Sequence, residues 1–372
     1  MITRRAFVTS IGCASLASTF SKPVFASTTA KLASHQQHEW LMPDEAAPHS
    51  RTWLSFVAKP KVWGKRHAYA LQDTLGQLAK TIAKYEPVTV IVNKEDLALA
   101  KQKCGDSVEF MVAPLDDFWI RDHGAVFVTN NKTKTLAAVD FNFNGWGNKQ
   151  YHKNDKQVAR KMAANQSIEL INTPLVLEGG ALEVDGEGTA IITESCVLNK
   201  NRNPGMTKAQ CEVHLKITLG IEKVIWLPGI KGKDITDGHT DFYARFTHPG
   251  RVVIHMVYDR SSYEYELTRK HKRILEQATD AKGRKLKLIT MDEPEKLRED
   301  FLNDDFAAGY VNFYVANKVV IAPEFGDSIA DENAYRILQA EYPNHTIEML
   351  NIDPIAAGGG GIHCSTMQQP AV

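Results

Sequence analysis

Residues 252–289 read VVIHMVYDRSSYEYELTRKHKRILEQATDAKGRKLKLI, and the rest of the chain parses on the same plan. Residues 252–257 form an apolar run of strand length. Residues 263–278 have helical length and bring Leu267, Ile274, Leu275 and Ala278 round at helical spacing, and 286–289 are strand-like again. The order strand, loop, helix, strand recurs at 53–57, 67–84 and 88–92; at 136–143, 156–164 and 168–171; at 190–198, 208–219 and 223–227; and at 319–325, 331–340 and 346–350. One such unit cannot bury both faces of its strands alone, so five copies are expected to pack around a common axis like blades, with strands inside and helices outside. The expected fold is α/β, and its centre is the natural site.

Composition narrows the function classes. With 372 residues, 43% hydrophobic and 24% charged, the chain has room for a large core, which excludes collagen-like, disordered and multi-span membrane classes. Lys+Arg and Asp+Glu both number 44, and no basic block tracks a phosphate backbone, so nucleic acid is not an expected partner and a small substrate fits better. No low-complexity linker divides residues 27–372, which are expected to form a single catalytic domain.

Residues 1–26 read as a cleaved export signal. Arg4 and Arg5 precede a small-residue apolar run from Ala6 to Phe20, too short to span a bilayer, and Val24-Phe25-Ala26 supplies a cleavage site. The string Thr3 to Val8 resembles twin-arginine signals for folded cargo, with an ordinary secretory signal as the alternative and a lipoprotein at Cys13 disfavoured by the few apolar residues before it. The expectation is an exported, periplasmic or secreted protein with no stable membrane anchor. Cys104, Cys196, Cys211 and Cys364 are scattered without a C-x-x-C, so no zinc cluster is signalled, although two bridges would be open to an exported chain. Folding before export would let a thiol enzyme mature in a reducing cytosol.

Each unit is followed by a segment carrying an isolated polar residue among Gly or aromatic neighbours: Asp122 in Trp119-Ile120-Arg121-Asp122-His123-Gly124, Glu178 in Leu177-Glu178-Gly179-Gly180, His239 and Asp241 in Asp237-Gly238-His239-Thr240-Asp241, Asn312 in Tyr310-Val311-Asn312-Phe313, and Cys364 in Gly361-Ile362-His363-Cys364. A thiol, an imidazole and several carboxylates suffice for cysteine nucleophilic catalysis on a cationic substrate. In an extended strand His239 and Asp241 would share one face. Structural readings stand beside these: His239 and Asp241 pairing on a sheet surface, Asp122 pairing with a neighbouring Arg or closing a turn, Glu178 capping the Gly-Gly bend, and Cys364 as a buried thiol in a loose tail. The Gly358–Gly361 run lacks the Lys-Ser/Thr of a phosphate loop.

The strings Phe118-Trp119-Ile120-Arg121-Asp122, Phe143-Asn144-Gly145-Trp146-Gly147, Leu177-Glu178-Gly179-Gly180, Asp185-Gly186-Glu187-Gly188-Thr189, Asn199-Lys200-Asn201-Arg202-Asn203-Pro204, Thr236-Asp237-Gly238-His239, Asn312-Phe313-Tyr314, Gly326-Asp327 and Gly358 to Cys364 with Gln368-Gln369-Pro370 resemble, in order, the agmatine deiminase and bacterial peptidylarginine deiminase family. The resemblance implies the five-bladed α/β propeller (pentein) of guanidine-modifying enzymes. It makes Cys364 the nucleophile and His239 the general acid/base, with Asp122 and Asp241 gripping the guanidinium and Trp119, Glu178 and Asn312 as supporting substrate-binding residues. Departures are Ala125, Asn148, Ala181, Glu183, Gly361 and Ser365, together with Phe56-Val57 in place of an aromatic-Pro continuation, and they leave the pocket for the substrate's tail open.

A guanidinium is planar and charged, so two carboxylates can orient it while its cation favours thiolate over thiol. No cofactor and no metal are required. The reaction implied is hydrolysis of agmatine to N-carbamoylputrescine and ammonia through a covalent thiouronium. The alternatives are a secreted peptidylarginine deiminase and a non-catalytic guanidine or polyamine binder, against which the joint presence of Cys364 and His239 counts. A papain-type hydrolase would place its cysteine near the mature N-terminus. Glu183, Asp116 and Asp117 are candidate acids for the far cation of agmatine, with solvated loop charges as the alternative. Among assemblies, a homodimer is allowed.

Overall fold

β1 (His49–Phe56), β2 (Val88–Val92) and β3 (Glu109–Val112) pair in parallel, with Thr52 opposite Val88 and Thr89 opposite Glu109. The helix Lys65–Ile82 connects the first two and buries Ala68, Leu71, Leu75, Leu78, Ala79 and Ile82, one stripe at helical spacing. These elements belong to a computed structural model that describes residues 40–372, so the expected export signal at 1–26 lies outside the described residues.

Four sheets then repeat one plan: an antiparallel pair, a crossing helix and a parallel strand. They are β4 (Val126–Asn130), β5 (Thr135–Asp140) and β6 (Glu169–Asn172) with helix Val158–Gln166; β7 (Leu182–Val184), β8 (Thr189–Thr193) and β9 (Lys223–Leu227) with helix Lys208–Leu219; β10 (Ala244–His248), β11 (Arg251–Met256) and β12 (Lys287–Asp292) with helix Glu264–Gln277; and β13 (Tyr314–Ala316), β14 (Val319–Glu324) and β15 (Thr346–Asn351) with helix Ser328–Glu341. β16 (Met367–Pro370) returns to the first sheet, antiparallel to β1 with Met367 opposite Trp53. Residues 40–372 belong to one compact unit. No helix among the described residues is long and apolar enough to cross a membrane.

All five strand-helix-strand units read from the sequence are present. The sequence reading lacks the strand that each sheet adds on its antiparallel side: β4, β7, β10, β13 and β16. They are only three to five residues long, and several are polar for a reason that local pattern does not reveal. Glu183 in β7, Arg245 in β10 and Gln368 in β16 point into a buried charge network.

Glu45, just ahead of β1, is the hub of that network. Its Oε1 accepts from Arg245 Nη2 at 2.9 Å and from the Val315 amide at 2.8 Å, and its Oε2 lies 3.1 Å from Arg121 Nη2 and 2.9 Å from His363 Nε2. Arg245 continues to Glu183 Oε2 at 2.7 Å and to the Phe313 carbonyl at 2.7 Å, and Arg121 to Gln368 Oε1 at 2.8 Å. One buried chain of charges therefore reaches four of the sheets and, through Arg121, the turn that leads into the fifth. Burial pushes the Glu45 carboxyl up, but Arg245, His363 and Arg121 outweigh it and hold it well below the usual carboxylate range.

Removing one partner of a buried ion pair leaves the others uncompensated, so Glu45→Gln is expected to cost about 3–5 kcal/mol of unfolding free energy. Because the folded-state value is depressed, this contribution is present above the ordinary carboxylate range and is lost as pH falls through the folded one. Urea unfolding at neutral pH checks the size; a loss below about 1 kcal/mol, typical of an exposed pair, would refute the hub role.

Candidate active site

Each candidate residue lies on the segment that leads from one unit into the added antiparallel strand of the next sheet. Asp122 sits in the helical turn Ile120–His123 before β4, Glu178 before the turn Gly179–Ala181 and β7, His239 before the turn Thr240–Phe242 and β10, Asn312 before β13, and Cys364 before β16. All are buried.

The His239-to-Asp241 segment corrects one expectation. It is not an extended strand: Thr240–Phe242 is a 3-10 turn, so strand alternation does not set the two side chains. The turn is aimed by the backbone before it, where Asp237 and Gly238 take φ of 63° and 92° and the Thr236 hydroxyl accepts from the His239 amide. Asp237 is held there by Arg202 Nη1 and Lys149 Nζ, each at 2.8 Å. His239 and Asp241 nevertheless meet Asp122 at one point. A Cβ added to Gly180 would lie 2.7 Å from His239 Nδ1, 2.9 Å from Asp122 Oδ1 and 3.0 Å from Asp241 Oδ2. A real methyl would not fit at those distances, so glycine is what lets the three side chains converge.

Asp122 is oriented by Trp146, whose Nε1 donates to Oδ2 at 2.9 Å, and by the Gly180 amide on Oδ1 at 3.2 Å. It does not pair with Arg121, which reaches Glu45. Glu178 does not cap the Gly-Gly bend: both its oxygens accept from Arg202 Nε, at 2.8 and 2.9 Å, and Oε2 lies 3.3 Å from His239 Nε2. It buttresses the imidazole from behind.

Cys364 Sγ is 3.5 Å from Asp241 Oδ2 and 3.4 Å from Asn312 Nδ2, while its amide faces Asn312 Oδ1 at 3.4 Å. The tail is not loose. An added Cβ would lie 2.9 Å from Trp63 at Gly358, 2.3 Å from Trp119 at Gly360 and 2.4 Å from Asn312 at Gly361, so the glycine run presses backbone against two indoles and an amide to seat the thiol. Trp119 thereby backs the cysteine turn. Asp241 Oδ2 also receives His363 Nδ1 at 2.7 Å, whereas its Oδ1 is buried and has no hydrogen-bond partner.

Charges at the site favour a cationic ligand. Burial pushes the Cys364 thiol well above its usual value, and the Asp241 and Asp122 carboxylates push it further. Asp122 rises to about 6 through burial, with the His239 cation opposing and Asp241 and Glu178 reinforcing. Burial pulls His239 down, but Asp122, Cys196 and Glu178 outweigh it, so the ring is held protonated well above its ordinary range.

Among the described residues one group offers metal-type donors: Glu178, Cys196 and His239, with ligand atoms within 4.8 Å of one another. The Glu178 charge is already matched by Arg202 and the His239 cation, so this trio reads as a counterion cluster. Cys104, Cys196, Cys211 and Cys364 are all buried and free, and none is bridged.

Three expected tail acids are placed elsewhere. Glu183 is buried on Arg245 and the Phe246 amide; Asp117 accepts from Gln150 Nε2 at 2.6 Å and the Phe118 amide; Asp116 accepts from Asn154. They are neither solvated loop charges nor free acids, because the scaffold uses them. Residues not singled out from sequence are Trp146, Cys196, Arg202 and His363. Trp146, Arg202 and His363 lie inside the strings that carry the family resemblance, whereas nothing in the sequence marks Cys196.

Residues 41–370 match the family profile of Porphyromonas-type peptidyl-arginine deiminases. The chain is 36% identical over 367 residues to an agmatine deiminase of Medicago truncatula, across 90% of this chain and 97% of the relative, and 37% identical over 361 residues to an agmatine deiminase of Stutzerimonas stutzeri at the same coverage. Its fold superposes on the agmatine deiminase of Enterococcus faecalis with a TM-score of 0.84 at 31% identity, covering 90% and 96% of the two chains. With a profile match across nearly all of the described residues and relatives this similar at nearly full length, the chain belongs to the Porphyromonas-type peptidyl-arginine deiminase family.

Proposed function

We propose that the protein is an agmatine deiminase, hydrolysing agmatine to N-carbamoylputrescine and ammonia. One observation carries the reading: Asp122, Asp241 and His239 converge beside Gly180, with the Cys364 thiol against Asp241 Oδ2 and, among the described residues, no hydrogen-bond partner on Asp241 Oδ1. A guanidinium bound at Oδ1 would neutralise the two carboxylates that, together with burial, hold the thiol protonated. Binding would thus bring the Cys364 pKa down where the electrophile sits.

In this reading Cys364 gives up its thiol proton to solvent as the cation binds, the thiolate attacks the guanidinium carbon, and the His239 imidazolium protonates the departing nitrogen as the C–N bond breaks, releasing ammonia. Neutral His239 then takes one proton from a water whose oxygen adds to the thiouronium carbon. Breaking of the C–S bond returns the thiolate, and the added hydroxyl passes its remaining proton to the released ammonia, leaving ammonium and the carbamoyl product. Glu178 and Asn312 hold the imidazole and thiol from behind, and Trp119 backs the cysteine turn. Because each of the five sheets receives one site segment, we infer that the sheets stand as blades around this centre. The twin-arginine-like string at Thr3 to Val8 supports export of the folded enzyme. Export and the family's description keep peptide arginine as the second substrate reading.

Side-by-side ammonia release from agmatine, free arginine and an arginine peptide is expected to favour agmatine, and Cys364→Ala is expected to lose more than about a hundredfold in rate. A kcat/KM for the peptide about tenfold above that for agmatine would replace the main reading.

The acid limb of kcat/KM is assigned to Asp122. As a carboxylate it binds the cation, so kcat/KM should fall as pH drops below its value of about 6. The alkaline limb belongs to loss of the His239 proton and should lie well above pH 6.5. A pH profile with its acid limb near the free-thiol value instead would reassign that limb to Cys364.

Gly180→Ala tests the geometry. Its backbone lies outside the left-handed region, so thermal melting should still show a folded protein, while the methyl, 2.7–3.0 Å from His239, Asp122 and Asp241, displaces these side chains and activity falls at least about a hundredfold. Near-normal kcat/KM would mean that the guanidinium binds elsewhere.

A further inference from the structure

His363 is adjacent to the nucleophile in sequence, yet its ring turns away from the thiol. Nδ1 lies 2.7 Å from Asp241 Oδ2 and Nε2 lies 2.9 Å from Glu45 Oε2. Both nitrogens face carboxylate oxygens, so both must donate for the two contacts to be favourable together. Glu45 and Asp241 are held ionised, and Glu183, raised to about 7 by burial, is the third acid beside Arg121 and Arg245; with all three charged, a protonated His363 makes the buried cluster neutral. Burial and the two arginines lower the His363 pKa below its ordinary value against the pull of Glu45 and Asp241, so the two carboxylate contacts, at 2.7 and 2.9 Å, are the ground for the cation.

Resting on the guanidine-hydrolase reading of this site, we propose that His363 is the positioning residue of Asp241: as an imidazolium anchored on Glu45, it holds Oδ2 and so presents Oδ1 as a fixed, unpartnered acceptor for the substrate's guanidinium. This links the scaffold hub to the reacting centre through one ring. Cys364, His239, Asp122 and Arg245 also face Asp241, and among the described residues none bonds Oδ1. Burial pushes the Asp241 carboxyl up, and the His363 contact is the first of the opposing influences that keep it ionised.

The test has two arms. In the intact protein, ¹⁵N-labelled histidine NMR at pH 7.5 should show both His363 nitrogens protonated, assigned by loss of the signal in a His363 variant; one nitrogen at the unprotonated shift would overturn the proposal. For the second arm, agmatine binding is measured calorimetrically on Cys364→Ala, which binds without turnover. An Asn amide can replace Nδ1 as donor to Asp241, whereas a Gln amide reaches towards Glu45. His363→Asn should therefore keep affinity within about threefold, and His363→Gln should weaken it at least tenfold, about 1.4 kcal/mol. In His363→Gln the pH below which binding is lost should also move upward, because Asp241 now takes a proton more readily. Equal losses in both variants with unchanged pH limbs would mean that the ring only packs, and no loss in either would remove the role altogether. If Cys364→Ala itself fails to bind agmatine, the functional reading falls, and the NMR arm still decides the state of His363.

Discussion

The Glu45 carboxylate is the contact on which the rest of the architecture depends. Five small sheets have no shared strand ladder to hold them in register, and apolar contact alone is non-directional. Glu45 supplies direction by bonding Arg245 in β10, the Val315 amide in β13, Arg121 in the turn before β4 and His363 ahead of β16 at once. Such a cluster costs desolvation and stabilises only when every partner is present, so it specifies one arrangement of the sheets more than it adds net stability.

The same constraint reaches the chemistry. The segments that the hub holds are those that carry Asp122, Asp241 and Cys364, and the network ends on Asp241 through His363. The centre is left with an excess of carboxylate around a protonated thiol and a protonated imidazole. That imbalance is a resting state suited to a cation: the ligand supplies the charge that turns the thiol into a nucleophile, and His239 already holds the proton that ammonia needs on leaving.

Acids expected to read the substrate's far end belong to the scaffold instead. Glu183 fills the coordination of Arg245, and Asp117 and Asp116 tie the loop before Trp119 to the 150–155 segment. Local composition misled because an acid in a loop reads as solvated or functional, whereas Glu183 is a buried counterion of Arg245, and Asp117 and Asp116 accept from Gln150 and Asn154, all tens of residues away.

The sequence by itself determined the repeated strand-helix-strand order, because strand and helix faces imprint their period on neighbouring residues, and the Asp122, Glu178, His239, Asp241, Asn312 and Cys364 positions, because each stands among glycine or aromatic neighbours in a family string. It concealed β7, β10 and β16, whose polar residues look like loop until their buried partners are known. It also misjudged the backbone at His239, where a 3-10 turn replaces a strand. Only the tertiary structure decided that Glu45 bonds Arg121 and Arg245, that Gly180 lets two carboxylates and an imidazole converge, and that His363 spans hub and site. These are contacts between residues 58 to 318 positions apart or brought together by three separate segments, and charge pairing at such separations leaves no periodic trace in the chain.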